Sequence, residues 1–129
     1  MTICCRKRGV DSLCNERVAS GLFDSFRHRN DRGIWFLRYA VLMPDHLHAL
    51  ISFPVDGRMQ KTVSEWKRFT ARGLGVQWQR DFFDHRLRSE ESESEKADYI
   101  RNNPVRAGLV GNAEDWPYVF EGEANKPEG

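Results

Sequence analysis

The chain has 129 residues, 40% of them hydrophobic and 30% charged, with a net charge of +1. That is enough for one folded domain over residues 1–120 with a flexible tail at 121–129, and it excludes collagen-like or wholly disordered chains. The apolar stretch around Tyr39 to Leu42 is too short to span a bilayer, and MTICCRKRGV has no signal-peptide run, so a cytoplasmic protein is expected. The small net charge hides an uneven spread. Residues 1–88 carry +7 and residues 89–129 carry −6, a pattern that suits a polyanionic partner.

In chain order, TICCRKRGV reads as a first strand that carries Arg6, Lys7 and Arg8. Adjacent Cys4 and Cys5 would face opposite sides of it. With Cys14 they make an odd, unpaired set best read as reduced, buried small residues. Val18, Leu22 and Phe26 recur every four residues behind Asn15, which predicts an amphipathic helix with an Asn cap. GIWFLRYAVLM predicts a second strand, Pro44-Asp45 a turn and HLHALISF a third strand. Met59, Val63, Trp66 and Thr70 then mark one face of a second helix that also carries Lys61, Lys67, Arg68 and Arg72 and ends at Gly73 and Gly75. VQWQRDFFDHRLR predicts a fourth strand, and SEESESEKADYIRNN a helix running to Asn103-Pro104. AEDWPYVF is expected to be a short helix or turn. The order is β-α-β-β-α-β plus a helix: an α+β, ferredoxin-like (RRM-like) antiparallel sheet with two helices on one face and the other face open.

Alternation along the third strand puts Leu47, Ala49, Ile51 and Phe53 on the core face and His46, His48 and Leu50 on the open one. Two imidazoles about 7 Å apart on rigid backbone can converge on one divalent metal; two merely exposed polar residues are the plainer reading of the same spacing. Tyr99 and Asn103, four apart, would share a helix face. A phenol beside a metal-bound phosphate can act as a nucleophile and an amide oxygen can ligate Mg²⁺ or Mn²⁺, though a packing Tyr and a helix stop would give the same letters. Trp78 is a candidate for base stacking, whereas Trp66 and Trp116 suit the core. His85 suits a structural role, and Arg86 and Arg88 suit pairing with Glu90 or Glu91.

Taken together, YAVLMPDHLHALIS, WQRDFFDHRLR and YIRNNPVRAGLV, in this order, resemble the single-tyrosine HUH transposases, most closely the REP-associated tyrosine transposases. The resemblance implies that His46 and His48 are the metal pair, Asn103 completes the site with Mg²⁺ or Mn²⁺, and Tyr99 is the nucleophile. It implies cleavage and rejoining of single-stranded DNA at hairpins through a 5′-phosphotyrosine link, by a monomer or a homodimer. Arg6, Lys7, Arg8, Lys61, Lys67, Arg68 and Arg72 would then contact DNA phosphates. Two other readings stay open: a domesticated, non-catalytic single-stranded nucleic-acid-binding module, and a phosphodiesterase that uses water in place of Tyr99.

Overall fold

A computed structural model describes residues 1–55, 58–82 and 93–122. The elements are β1 (Thr2–Cys4), α1 (Glu16–Asp31), β2 (Phe36–Met43), β3 (His46–Ser52), α2 (Met59–Leu74), α3 (Glu93–Arg101), α4 (Asn103–Arg106) and β4 (Val119–Glu121), with a 3₁₀ turn at Ala113–Asp115. The expected α+β class holds: four antiparallel strands in the order β1-β3-β2-β4.

β2 and β3 form the central hairpin, in register from Met43 opposite His46 to Phe36 opposite Ser52. A bulge between Leu37 and Tyr39 interrupts the alternation. The extra residue lets Leu37, Ala40 and Leu42 join one core while Tyr39, Val41 and Met43 join another. The larger core lies under α1 and α2. Phe26, Trp35, Trp66, Trp78 and Phe120 fill it, with Phe26 stacked on Trp66 at 5.8 Å and Trp78 at 5.2 Å from Trp66. The smaller core, Tyr39, Val41, Met43 and Ile100, lies on the opposite face beneath α3. Both long helices follow their apolar periodicity. Asn15 caps α1 by accepting from the Val18 N–H at 3.0 Å, and Gly75, at φ +77°, ends α2 in the left-handed region. α2 therefore runs through Gly73.

Several expectations change. β1 is shorter than expected, and Arg6, Lys7 and Arg8 lie in the turn beyond it. Of the fourth strand expected from VQWQRDFFDHRLR, the described part pairs with the residue just after β1 through a single bridge, Cys5 opposite Trp78. The bridge is closed by Arg6 N–H to Gln77 C=O and Gln79 N–H to Cys4 C=O. Residues 83–92 lie outside the described residues, and with them His85, Arg86, Arg88, Glu90 and Glu91. The segment expected to be only a helix or turn after Gly111 includes a true strand, β4, on the free edge of β2. The tail from residue 123 is likewise outside the described residues. Trp78 is buried and its indole N–H donates to Thr70 Oγ1 at 2.9 Å, so it is a core residue and not a stacking platform. Cys4 and Cys5 are buried and Cys14 is partly so; all three are free. Burial pushes the Cys5 and Cys14 thiols up to about 11 and about 12, which leaves them inert.

Candidate active site

The second sheet face carries the candidate residues. His46 and His48 project there from β3, their rings edge to face with centroids 4.9 Å apart. Residues opposite each other in antiparallel strands share a face, so Thr2 (opposite His48) and Cys4 (opposite His46) border them. Thr2 Oγ1 lies 2.9 Å from His48 Nδ1, and Asp45 Oδ1 lies 2.8 Å from His46 Nδ1.

Asp45 fixes one of these rings. Partial burial favours its protonated form, but the Gly9 N–H, the His46 ring and the Arg8 guanidinium outweigh this and hold the carboxyl well below the usual carboxylate range. Its Oδ2 accepts from Gly9 N at 2.7 Å and Arg8 Nε at 3.0 Å. An ionised carboxylate only accepts, so His46 Nδ1 is the donor, and in the neutral ring Nε2 then keeps its lone pair. When His48 donates its Nδ1–H to Thr2, its Nε2 is free in the same way. Burial lowers His48 to about 4, with further effects from His46, the Met1 amino group, Arg106 and Lys96, so the imidazole is neutral and fit to ligate at pH 7. With both rings in that tautomer, the outer partners hold them as metal-binding histidines require.

α3, which carries Tyr99, packs on this face. Ile100 anchors the helix in the smaller core, Arg38 pairs with Glu93 at 2.9 Å near its start, and Arg101 lies 5.2 Å from the Tyr39 ring centroid near its end. Tyr99, one residue before Ile100, is 59% exposed. The Arg106 guanidinium covers its ring at 4.0 Å, and Lys96 Nζ lies 5.5 Å from the ring centroid.

Tyr99 and Asn103 do not sit on one continuous helix. α3 ends at Arg101 and α4 begins at Asn103, because Pro104 has no N–H to give the Ile100 carbonyl. Asn103 Nδ2 is buried with no hydrogen-bond partner. A half-turn of the amide would put the carbonyl oxygen there, so the side chain has a buried polar end available to a ligand. Among the described residues no three His, Cys, Asp or Glu side chains cluster as a metal site. The protein donors that the structure sets side by side are the two imidazoles, and a divalent ion held by them would keep open positions for other oxygen ligands.

The basic residues separate into groups. Arg6, Lys67 and Arg68 line one groove with Arg80, of about 540 Å³, between α2 and the edge segment at Val76–Arg80. Lys67 Nζ donates to the Arg80 carbonyl at 2.7 Å. Lys7 lines a neighbouring hollow with Arg17. Arg72 is exposed in the last turn of α2, Lys61 pairs with Glu65 at 3.8 Å, and Arg8 is turned to Asp45. Sequence reasoning missed Asp45, Thr2, Lys96 and Arg106. The motif blocks contain Asp45 and Arg106 but give them no role, and Thr2 depends on strand pairing that no local pattern reveals.

No family model matches the chain. It is 35% identical over 83 residues to the REP-associated tyrosine transposase of Escherichia coli K12, covering 60% of this chain and 49% of that protein. It is 30% identical over 95 residues to a Haemophilus influenzae protein provisionally named a REP-associated tyrosine transposase, covering 60% of this chain and 53% of the relative. The chain thus spans about half the length of the curated relatives it matches. A solved structure of a REP-associated tyrosine transposase bound to a REP hairpin superposes with a TM-score of 0.76 at 24% identity, over 92% of this chain and 72% of that one, and shares its fold. The resemblance read from the sequence therefore holds: the chain is similar in sequence to REP-associated tyrosine transposases and has the fold of one.

Proposed function

We propose, from that similarity, that this chain cleaves and rejoins single-stranded DNA at hairpin elements by metal-assisted transesterification through a 5′-phosphotyrosine link. The observation that supports the reading is that α3, which carries Tyr99 with Lys96 and Arg106 at its ring, packs on the sheet face from which His46 and His48 project. His46 and His48 would hold Mg²⁺ or Mn²⁺ through Nε2, and Asn103 would complete the set. The ion, when bound, polarises the scissile phosphate. The chain supplies the rest. α3, which carries Tyr99, packs on the same face, and Asp45 and Thr2 fix the rings. Tyr99 Oη forms a bond to phosphorus as the bond to the 3′ oxygen breaks; the phenol gives up its proton and the departing oxygen gains one. Because the phosphotyrosine keeps the bond energy, a second 3′-hydroxyl can reverse the step. The groove of Arg6, Lys67, Arg68 and Arg80 would grip the hairpin backbone away from the reacting phosphate.

A hairpin oligonucleotide with randomised flanks, labelled at its 3′ end, tests this with Mn²⁺. The expected product is an SDS-resistant adduct that Tyr99→Phe abolishes while still binding the hairpin on a gel. Cleavage with no adduct would favour the water-using phosphodiesterase. A gel shift with no cleavage would favour the non-catalytic binding module. Among the described residues no helix is long and apolar enough to cross a membrane.

A further inference from the structure

Arg106 stands apart from the other arginines around α3. Arg38 pairs with Glu93, Arg101 with Asp98 at 2.8 Å, and Arg8 with Asp45. Among the described residues no carboxylate pairs with Arg106, although it lies at the most acidic end of the chain. One NH2 hydrogen bond to the Tyr99 carbonyl, 2.7 Å long, and the 4.0 Å ring contact hold it in place. Among the described residues the rest of its five-donor fork has no hydrogen-bond acceptor. Its guanidinium and Lys96 Nζ both lie against the Tyr99 ring, at 4.0 and 5.5 Å, so the nucleophile carries two cations beside it, on the helix that packs on the sheet face of the imidazole pair.

We infer that Arg106, seconded by Lys96, binds the nonbridging oxygens of the scissile phosphate beside Tyr99 and stabilises the charge that builds there as Tyr99 attacks. The inference rests on the transesterification reading and assigns that site its second electrophile. The guanidinium takes no proton and forms no covalent bond. It meets the phosphate already oriented, which is the condition under which fixed charge is most effective. The Tyr99–Arg106 contact also explains why the helix break at Asn102 is useful. It turns α4 so that the Arg106 side chain reaches back over Tyr99, seven residues earlier.

Arg106→Gln and Arg106→Lys separate this role from simple anchoring. Gln keeps a donor for the Tyr99 carbonyl and loses the charge; Lys keeps the charge and loses the fork. With the randomised-flank hairpin and Mn²⁺, Arg106→Gln should slow adduct formation by ~100-fold or more, with hairpin affinity within a few-fold of wild type. Arg106→Lys should recover most of that loss. A methylphosphonate at the cleaved position, placed from the sequence recovered in the wild-type adduct, removes the oxygen charge. It should slow the wild type far more than Arg106→Gln, a difference that a merely structural role does not produce. A wild-type adduct with Arg106→Gln reacting within threefold of it overturns this inference alone. If Arg106→Gln does not fold, Arg106→Met replaces it: a methylphosphonate effect as large in Arg106→Met as in the wild type overturns the inference. Absence of any wild-type adduct overturns it together with the transesterification reading.

Discussion

The two faces of the sheet are made from the same strands and have opposite characters. Under α1 and α2, Leu47, Ala49, Leu37, Ala40 and Leu42 meet Phe26, Trp35, Trp66 and Trp78 in a continuous aromatic core. On the other face the apolar cluster is small, and alternate residues of β3 are His46 and His48. Because side chains alternate along a strand, one face can hold the fold while the other holds reactive groups at positions the first has made rigid. The division of labour makes separable demands: damage to the first face should cost stability, and damage to the second should cost chemistry.

The sharpest way to break that division is Trp66→Ala. Trp66 is 1% exposed, stacks on Phe26 and gives its indole N–H to Ser25 Oγ at 2.9 Å. Its loss should reduce the unfolding free energy by about 3–5 kcal/mol in urea titrations, from the cavity and the stranded hydroxyl. Mn²⁺ affinity of the molecules that remain folded should hardly change. If Trp66→Ala is near neutral, the aromatic face is not what holds the sheet.

The second face has its own effect on stability, of a different kind. His48 is lowered from 6.5 to about 4, chiefly by burial. Above pH 6.5 neither the folded nor the unfolded chain protonates it. As pH falls from there, the unfolded chain takes a proton that the fold refuses, so stability declines and levels off below the folded value. The full loss is roughly 3 kcal/mol. Asp45, held low, contributes to acid loss only at more acidic pH, below the ordinary carboxylate range. Urea midpoints of the metal-free protein at pH 7 and pH 5 should therefore differ, and His48→Gln should remove most of the difference. An unchanged slope in that variant would move the acid sensitivity to another group and weaken the contrast between the faces.

Much of this was legible in the residues. Periodicity located α1 and α2, including Val63, Trp66 and Thr70 on the buried face, and alternation placed His46 and His48 opposite Leu47 and Ala49. Tertiary partnership was not legible. Trp78 looked like a base platform because its segment has a weak strand pattern; only its position beside Thr70 and Trp66 makes it core. β4 was hidden because Val119–Glu121 is three residues long and is defined by pairing with β2, not by any pattern of its own. Tyr99 and Asn103 looked like one helical face because a proline there is expected to end the helix only after Asn103, whereas the N–H that Pro104 lacks is missed a turn earlier and α3 ends at Arg101. Arg8 read as a phosphate contact because a sequence shows its charge and not the carboxylate it pairs with.

Asp45 gives the smallest expected effect and the most direct test of how the second face is built. As a letter it belongs to a Pro-Asp turn. In the fold it accepts from Gly9, Arg8 and His46, so one side chain ties the turn after β1 to a ring at the start of β3. Asp45→Asn is nearly isosteric, but its amide nitrogen cannot accept, so either the Gly9–Arg8 side or the His46 side must go unsatisfied. If the nitrogen turns toward His46, Nδ1 becomes the acceptor, the ring proton moves to Nε2 and the lone pair intended for metal is lost. Mn²⁺ affinity should fall by about 10–100-fold, while the aromatic core leaves the thermal midpoint within a few degrees. Arg8→Ala separates the two sides of the carboxylate, since it removes an Oδ2 partner and leaves the Oδ1–His46 bond in place. It should lower metal affinity far less than Asp45→Asn does. If the two variants are equivalent, Asp45 acts through the turn as a whole and not through the tautomer of His46, and the second face is then held by backbone rather than by its own hydrogen bonds.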